Sequence, residues 1–204
     1  MKKIDAYKTI TNKSEGLYKE KGSKFIAVAY PVSSEDEIKL ILADLRKEYH
    51  DARHHCYAYR LGNDKKKFRA NDDGEPSNSA GKPILGQIRS KELTNVLVVV
   101  IRYFGGTLLG VGGLINAYKT AAADALSHTK TVQKTVDDIY DLIFGYPILN
   151  NVMKLIDEKK LRIINQTFKA DCTIRIGVRL GESESIRKRI EKSPDITIKY
   201  LGRE

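Results

Sequence analysis

One segment, residues 95–126, constrains the fold more than any other part of this chain. It begins with six consecutive apolar residues, 96–101, a pattern typical of a strand that is buried on both faces. It ends with apolar residues at helical spacing between Leu114 and Leu126. We therefore expect a strand, a tight turn and a helix in direct succession. The intervening turn contains five glycines: Gly105, Gly106, Gly110, Gly112 and Gly113.

This glycine-rich turn has two interpretations. Bare backbone N–H groups at the positive end of a helix favour an anion, so the turn is a candidate ligand site. Alternatively, the glycines only permit positive φ angles and close packing of the helix on the strand. The spacing matches neither a Walker loop, which requires Gly-Lys-Ser/Thr, nor the dinucleotide fingerprint, because Leu114 and Ile115 follow Gly113.

Composition and charge narrow the class of protein. The chain has 204 residues, 41% of them hydrophobic, with a mean hydropathy of −0.40, so one large or two small domains are expected and no membrane association. Two distant cysteines and a charged start without an apolar segment indicate a cytoplasmic protein without disulfides. A net charge of +10 and a pI near 9.4 favour contact with a polyanion such as RNA.

Residues 54–61 alternate in the manner of a strand. His54, Cys56, Ala58 and Arg60 fall on one face, with His55, Tyr57 and Tyr59 on the other. Adjacent His and Cys side chains then point apart, which argues against a zinc site. His54 and Cys56, on one face, could share a metal only if a remote carboxylate or histidine joined them, and we do not expect Cys56 to act as a catalytic nucleophile.

A basic cluster follows this strand. Lys65, Lys66, Lys67 and Arg69 surround Phe68 on a predicted hairpin arm. Cations with an exposed aromatic are typical of single-strand nucleic-acid binding. The alternative is a solvated edge strand protected by its lysines.

The next segment, residues 71–83, is a polar loop with three carboxylates in four residues. Asp72, Asp73 and Glu75 are candidate ligands for a hard cation such as magnesium. They are equally candidate turn-forming residues, with Ser79 or its neighbour capping a helix from Gly81 to Ser90. Either way, the loop is a natural rim for a binding cleft.

Residues 137–203 predict a separate unit with the order βαββαβ. Strands are expected at 136–144, 162–168, 172–180 and 196–200, with helices opened by Pro147 and spanning 183–191. This order predicts a ferredoxin-like sandwich. The predicted domains are 1–130 and 131–204, and no cofactor motif is present in either.

Several blocks together resemble the YigZ/IMPACT family. They are residues 55–60 (HCYAYR), 72–76 (DDGEP), 80–85 (AGKPIL), 102–106 (RYFGG) and 109–114 (LGVGGL), and the resemblance extends over about residues 18–129. Two departures are Asn78-Ser79, where the family has Gly-Thr, and Asn116, where it has Arg. The missing arginine removes an expected phosphate contact at the helix start.

The resemblance implies an α+β protein. The first domain should be similar to the second domain of ribosomal protein S-five, with a left-handed crossover, and the last to a C-terminal domain of elongation factor G. Eukaryotic members regulate the kinase of a translation initiation factor with the help of an additional RWD domain, for which the sequence given leaves no room. We therefore expect the shared core domain, rather than the kinase link, to apply here.

The leading hypothesis is a non-enzymatic protein that binds RNA or the ribosome in translation control and has a possible protein partner. Its surface would combine the glycine-rich turn with Lys82 and Arg102, and with Lys65, Lys66, Lys67 and Arg69. A second hypothesis is a metal-dependent enzyme acting on a phosphorylated small molecule or a nucleotide. It would use Asp72, Asp73 and Glu75 for a metal and His54 or His55 for proton transfer. A third is a protein-interaction module.

Overall fold

A computed structural model describes residues 5–203. The chain divides into two compact units, Tyr7–Lys134 and a second made of Asp5, Ala6 and residues 135–203. The predicted boundary at residues 130 and 131 lies close to this division. None of the helices in the described residues combines the length and apolar character required to span a bilayer.

The first unit is built around a five-stranded sheet. All four neighbouring pairs in this sheet are antiparallel, and β6 lies at its centre in the order β2-β3-β6-β4-β5. A second, two-stranded sheet pairs β1 with β7. The elements are β1 (Ala6–Ile10), β2 (Ser14–Glu20), β3 (Ser23–Pro31), α1 (Glu35–Glu48), β4 (His54–Leu61), β5 (Lys67–Asn71), α2 (Gly81–Ser90), β6 (Val96–Tyr103), α3 (Gly110–Ser127) and β7 (Thr131–Thr135).

Both faces of this sheet are covered, as the apolar run of β6 predicts. Val96, Val98 and Val100 face a core built with α2 and α3. Their neighbours Leu97, Val99 and Ile101 face a second core built with α1. A strand covered on both sides cannot alternate apolar and polar residues, which explains the continuous run.

The second unit has the ferredoxin-like arrangement. Its elements are β8 (Asp137–Phe144), a turn of 3₁₀ helix (Tyr146–Ile148), α4 (Leu149–Lys159), β9 (Arg162–Phe168), β10 (Cys172–Arg179), α5 (Ser183–Ile190) and β11 (Ile196–Arg203). The sheet is antiparallel with the order β11-β8-β10-β9. Side chains of β8, β10, α4 and α5 form one apolar core. The α+β class and the βαββαβ order expected from sequence are therefore confirmed.

One strand pair was missed in the sequence analysis, and one local prediction was wrong. The pairing of β1 with β7 was missed because each strand has only five residues and the two strands are far apart in sequence. No side chain of Ser79 or its neighbour caps α2, since the N-cap is Ala80 and the Ser79 hydroxyl donates to the Pro76 carbonyl oxygen. The carboxylate of Asp72 performs this task instead, as described below.

Candidate functional site

The glycine turn, defined as residues 104–113, leads from β6 into α3. Gly105 is packed against the β2–β3 turn: its N–H donates to Ser23 Oγ at 3.1 Å, and an added Cβ would lie 1.9 Å from the carbonyl carbon of Gly22. A Cβ added at Gly113 would lie 3.0 Å from the Cβ of Leu109 in the same turn. Gly106 and Gly110 have φ angles of +86° and +70°, which other residues rarely adopt. Added Cβ atoms at Gly106, Gly110 and Gly112 would meet no atom within 4 Å.

The start of α3 is uncapped within the described part of the chain. The N-cap residue is Leu109, no side chain accepts a hydrogen bond from the first turn, and that turn contains no acidic residue. The first N–H groups of a helix have no intrahelical acceptor. An anion could therefore bind at this end of α3, where the helix dipole is positive.

The glycine turn also carries exposed apolar side chains, and this exposure was not predicted in the sequence analysis. Phe104, Leu108 and Val111 are 52%, 82% and 53% exposed, and Ile115 is also exposed. Lys21 belongs to the β2–β3 turn, whose residues Gly22 and Ser23 contact Gly105. The turn thus combines open backbone with exposed apolar side chains.

Arg102 has a different role from the ligand contact expected of it. Its side chain is 8% exposed and its NH1 donates to Glu75 Oε1 at 2.6 Å. The guanidinium lies 5.6 Å from the ring centroids of both Phe25 and Phe104. Tyr118 Oη donates to the same Glu75 oxygen at 2.7 Å. Arg102 is therefore held in a buried ion pair, and its Nε has no hydrogen-bond partner.

Cys56 and His54 lie beside this ion pair. The Cys56 thiol donates to the Asp72 carbonyl oxygen at 3.0 Å and contacts Tyr118 Oη at 3.3 Å. Burial raises the pKa of Cys56 to about 12, so the thiol is protonated at neutral pH. His54 Nε2 is 4.0 Å from Glu75 Oε1, and its Nδ1 contacts the Asp73 carbonyl oxygen at 2.8 Å.

His55 points the other way, as the alternation predicts. It is buried, its Nε2 has no hydrogen-bond partner, and burial lowers its pKa. The two alternative candidates for proton transfer, His54 and His55, therefore lie on opposite faces of β4, as the alternation predicts.

The carboxylate loop, defined as residues 71–80, uses its acidic side chains to build itself. Asp72 accepts hydrogen bonds from the N–H groups of Asn78, Ala80 and Gly81 at 2.8–3.0 Å, which caps the start of α2. Asp73 accepts from the His55 N–H at 2.7 Å and pairs with Arg46 at 3.5 Å.

With Glu75 in its ion pair, all three candidate metal ligands are engaged by the protein. Across residues 5–203, no group of three or more His, Cys, Asp and Glu side chains is placed to hold a metal ion.

The predicted basic cluster is divided between two faces of β5. Because Tyr59 pairs with Arg69 and Leu61 with Lys67, these two cations lie on the α1 side of the sheet. Lys67 Nζ is 2.6 Å from Glu35 Oε2 of α1. Phe68 pairs with Arg60 and lies on the opposite, α2 side.

Two arginines on the α2 side were missed by the sequence analysis. Arg89 of α2 places its guanidinium 4.4 Å from the Phe68 ring centroid. Arg60 Nε and NH1 donate to the carbonyl oxygens of Lys65 and Leu93. Lys82, which was predicted, is exposed on α2. A signal was present in the spacing, since Lys82 and Arg89 are seven residues apart and so share a helix face.

Comparisons with known proteins identify relatives of this chain. The Impact N-terminal domain matches residues 21–126. The IMPACT family member YigZ of Escherichia coli is 35% identical over 160 residues, which is 78% of each chain. An IMPACT family member of Haemophilus influenzae is 32% identical over 195 residues, covering 94% of this chain and 92% of that one.

A crystal structure of a hypothetical protein aligns with a TM-score of 0.69 at 29% identity over 98% of both chains. The matched domain contains the glycine turn, the carboxylate loop and the buried ion pair. This chain therefore belongs to the IMPACT family.

Proposed function

We propose that this protein binds RNA through the first unit and acts on the translation machinery in the cytoplasm without catalysing a reaction. Ribosome association is the form of this activity that the family resemblance suggests. The proposal rests on the positive net charge, on the open backbone of the glycine turn and on the internal bonding of the acidic side chains in the carboxylate loop.

The main observation behind the proposal is that the acidic side chains of the carboxylate loop bind groups of the protein itself, whereas several cations of the first unit are exposed and have no carboxylate partner in the part of the chain that the structure describes. Asp72, Asp73 and Glu75 all bind groups of the protein itself. By contrast, several exposed cations of the first unit have no carboxylate within 4.0 Å among the described residues: Lys21, Lys66, Lys82, Arg89, Lys91 and Lys119. Unpaired cations on one unit attract a polyanion and release its counterions on binding.

The glycine turn adds a backbone contribution to the same activity. Uncapped N–H groups at the start of α3 can donate to phosphate oxygens. Such contacts position a nucleic acid without reading its sequence. We therefore expect binding that depends on charge and strand form more than on base sequence.

A protein-interaction module is the second candidate, because Phe104, Leu108 and Val111 expose apolar side chains around the turn. Exposed apolar groups of this kind are common at protein interfaces. Such a module would bind its partner with little dependence on salt. RNA binding has the opposite signature.

The test is the affinity of the full chain for a fluorescent RNA oligonucleotide between 50 and 200 mM salt. We expect log K to fall linearly with log salt concentration, with a slope of about −0.7 for each phosphate neutralised on a single strand. Absence of binding at the lowest salt, or a flat salt response, would contradict the proposal.

A further inference from the structure

The edge of the five-stranded sheet carries an aromatic and two arginines, and within residues 5–203 no carboxylate lies within 4.0 Å of either guanidinium. Phe68 of β5 is 49% exposed, and Arg89 stacks on its ring at 4.4 Å. Arg60 lies directly opposite Phe68 in the ladder, on the same face of the sheet. Residues opposite each other in an antiparallel pair have Cβ atoms about 5 Å apart, so both arginines adjoin one aromatic ring.

The two guanidiniums repel each other. Burial lowers the pKa of Arg60, and the positive charge of Arg89 lowers it further. The hydrogen bonds of Arg60 to two carbonyl oxygens and the stacking of Arg89 hold them there. Glu92, the nearby acid on the loop after α2, is ion-paired with Lys8 at 2.9 Å. A phosphate between the two arginines would relieve this repulsion with charge-assisted hydrogen bonds.

A glycine in the middle of α2 leaves this face open. Lys82, Gly86 and Arg89 recur at helical spacing and form one exposed stripe. A Cβ added at Gly86 would meet no atom within 4 Å, and its φ angle is not positive. Neither packing nor backbone conformation requires glycine there, although glycine weakens a helix interior. A bare backbone at this position permits the close approach of another molecule.

We propose that this face, here called the Phe68 surface (Arg60, Phe68, Lys82, Gly86 and Arg89), binds single-stranded RNA. A base stacks on Phe68 and Arg89, the adjoining phosphate lies between Arg60 and Arg89, and Lys82 contacts the next phosphate. Single strands are favoured over duplexes because only an unpaired base can offer its flat face to the ring. The inference rests on the proposed RNA binding and adds a base-stacking contact to the backbone contacts proposed for the glycine turn.

The chain offers a matched control for charge. Arg69 was grouped with the RNA-binding cations in the sequence analysis, but it lies beside Tyr59 on the face of β5 opposite Phe68, and so outside the Phe68 surface. Arg89→Ala and Arg69→Ala therefore remove the same charge from the two sides of one sheet edge. We expect Arg89→Ala to weaken binding of a single-stranded RNA oligonucleotide about tenfold or more, and Arg69→Ala less than about threefold.

Two further variants separate stacking and access from charge. Phe68→Leu keeps an apolar side chain but removes the ring, and should weaken binding about fivefold or more. Gly86→Gln places an uncharged side chain between Lys82 and Arg89. It should weaken binding while raising the melting temperature, because glutamine is the better helix former. A merely structural role for Gly86 would not produce this combination.

The experiment measures these four variants and the wild type by fluorescence anisotropy, against one RNA sequence as a single strand and as a duplex. Equal losses for Arg89→Ala and Arg69→Ala, or equal affinity for the two strand forms, would overturn the Phe68 surface while leaving RNA binding by the protein intact. A wild-type protein that binds neither form would overturn the proposed function as well. Melting temperatures within a few degrees of the wild type show that each variant is folded.

Discussion

The carboxylate loop and the glycine turn lie in the same unit, and both have the composition of a binding loop. They differ in whether their polar groups are bonded within the protein. In the carboxylate loop, Asp72, Asp73 and Glu75 bind backbone N–H groups and arginines of the protein. In the glycine turn, only Gly105 among the five glycines is closely packed against another segment. The carboxylate loop is therefore structural, whereas the backbone of the glycine turn remains open at Gly106, Gly110 and Gly112.

The largest effect should follow from breaking the buried ion pair between Glu75 of the carboxylate loop and Arg102 of β6. Glu75→Ala leaves the Arg102 charge buried without its partner, and we expect a loss of about 3–5 kcal/mol in the free energy of unfolding. Urea denaturation measures it. Adding Arg102→Met, which places an apolar side chain between Phe25 and Phe104, should recover part of the loss. A double variant no more stable than Glu75→Ala would contradict the buried-charge explanation.

Two glycine variants test the difference between packed and open positions within the glycine turn. Gly105→Ala puts a Cβ 1.9 Å from backbone of the β2–β3 turn, and should cost about 3 kcal/mol because backbone must move. Gly112→Ala meets no atom and has no positive φ, so it should be neutral or stabilise α3 by up to about 1 kcal/mol. Thermal unfolding compares the two. Similar losses for both would show that the whole turn is packed.

A smaller loss should follow from removing the cap of α2. Asp72→Ala deprives three backbone N–H groups of their acceptor, and we expect a loss of about 1–2 kcal/mol. Asp64→Ala is the matched control, because Asp64 accepts one exposed hydrogen bond from the Lys66 N–H. Its loss should stay below about 0.5 kcal/mol. If Asp72→Ala proved neutral, the carboxylate loop would not depend on its acids.

The smallest expected signal is the reactivity of Cys56 behind this loop. Its pKa of about 12 exceeds the ordinary value of 9.0, so the folded protein at pH 8 should not react with a thiol reagent such as DTNB. The stability gained from the protonated thiol is complete below pH 9 and is lost as pH rises toward 12. Asp72→Ala, which loosens the loop that accepts its hydrogen bond, should speed labelling. Rapid labelling of the wild type would show that the Cys56 thiol is not buried.

Much of the fold follows from local patterns in the sequence. The alternation of residues 54–61 correctly separates Cys56 and Ala58 from Tyr57 and Tyr59, which lie in different cores. The apolar run of β6 and the helical spacing of α3 also follow directly from side-chain periodicity. The βαββαβ order of the second unit is confirmed for the same reason.

The site is less accessible to sequence because its contacts join distant residues. Arg102 and Glu75 are 27 residues apart, and nothing local indicates that each neutralises the other. Five neighbouring residues, 65–69, form one basic cluster in sequence. The pleat of β5 sends Lys67 and Arg69 to one face and Phe68 to the other. The partner of Phe68, Arg89, becomes visible only after α2 is packed beside the sheet edge.

The contrast between the two loops is tested most directly by backbone amide shifts in a ¹⁵N-labelled sample titrated with single-stranded RNA. The account predicts that the amide signals of Gly106, Gly110 and Gly112 move with increasing RNA, whereas those of Asp73 and Gly74 stay in place. Shifts confined to the carboxylate loop, or no shift in the glycine turn at saturating RNA, would contradict it.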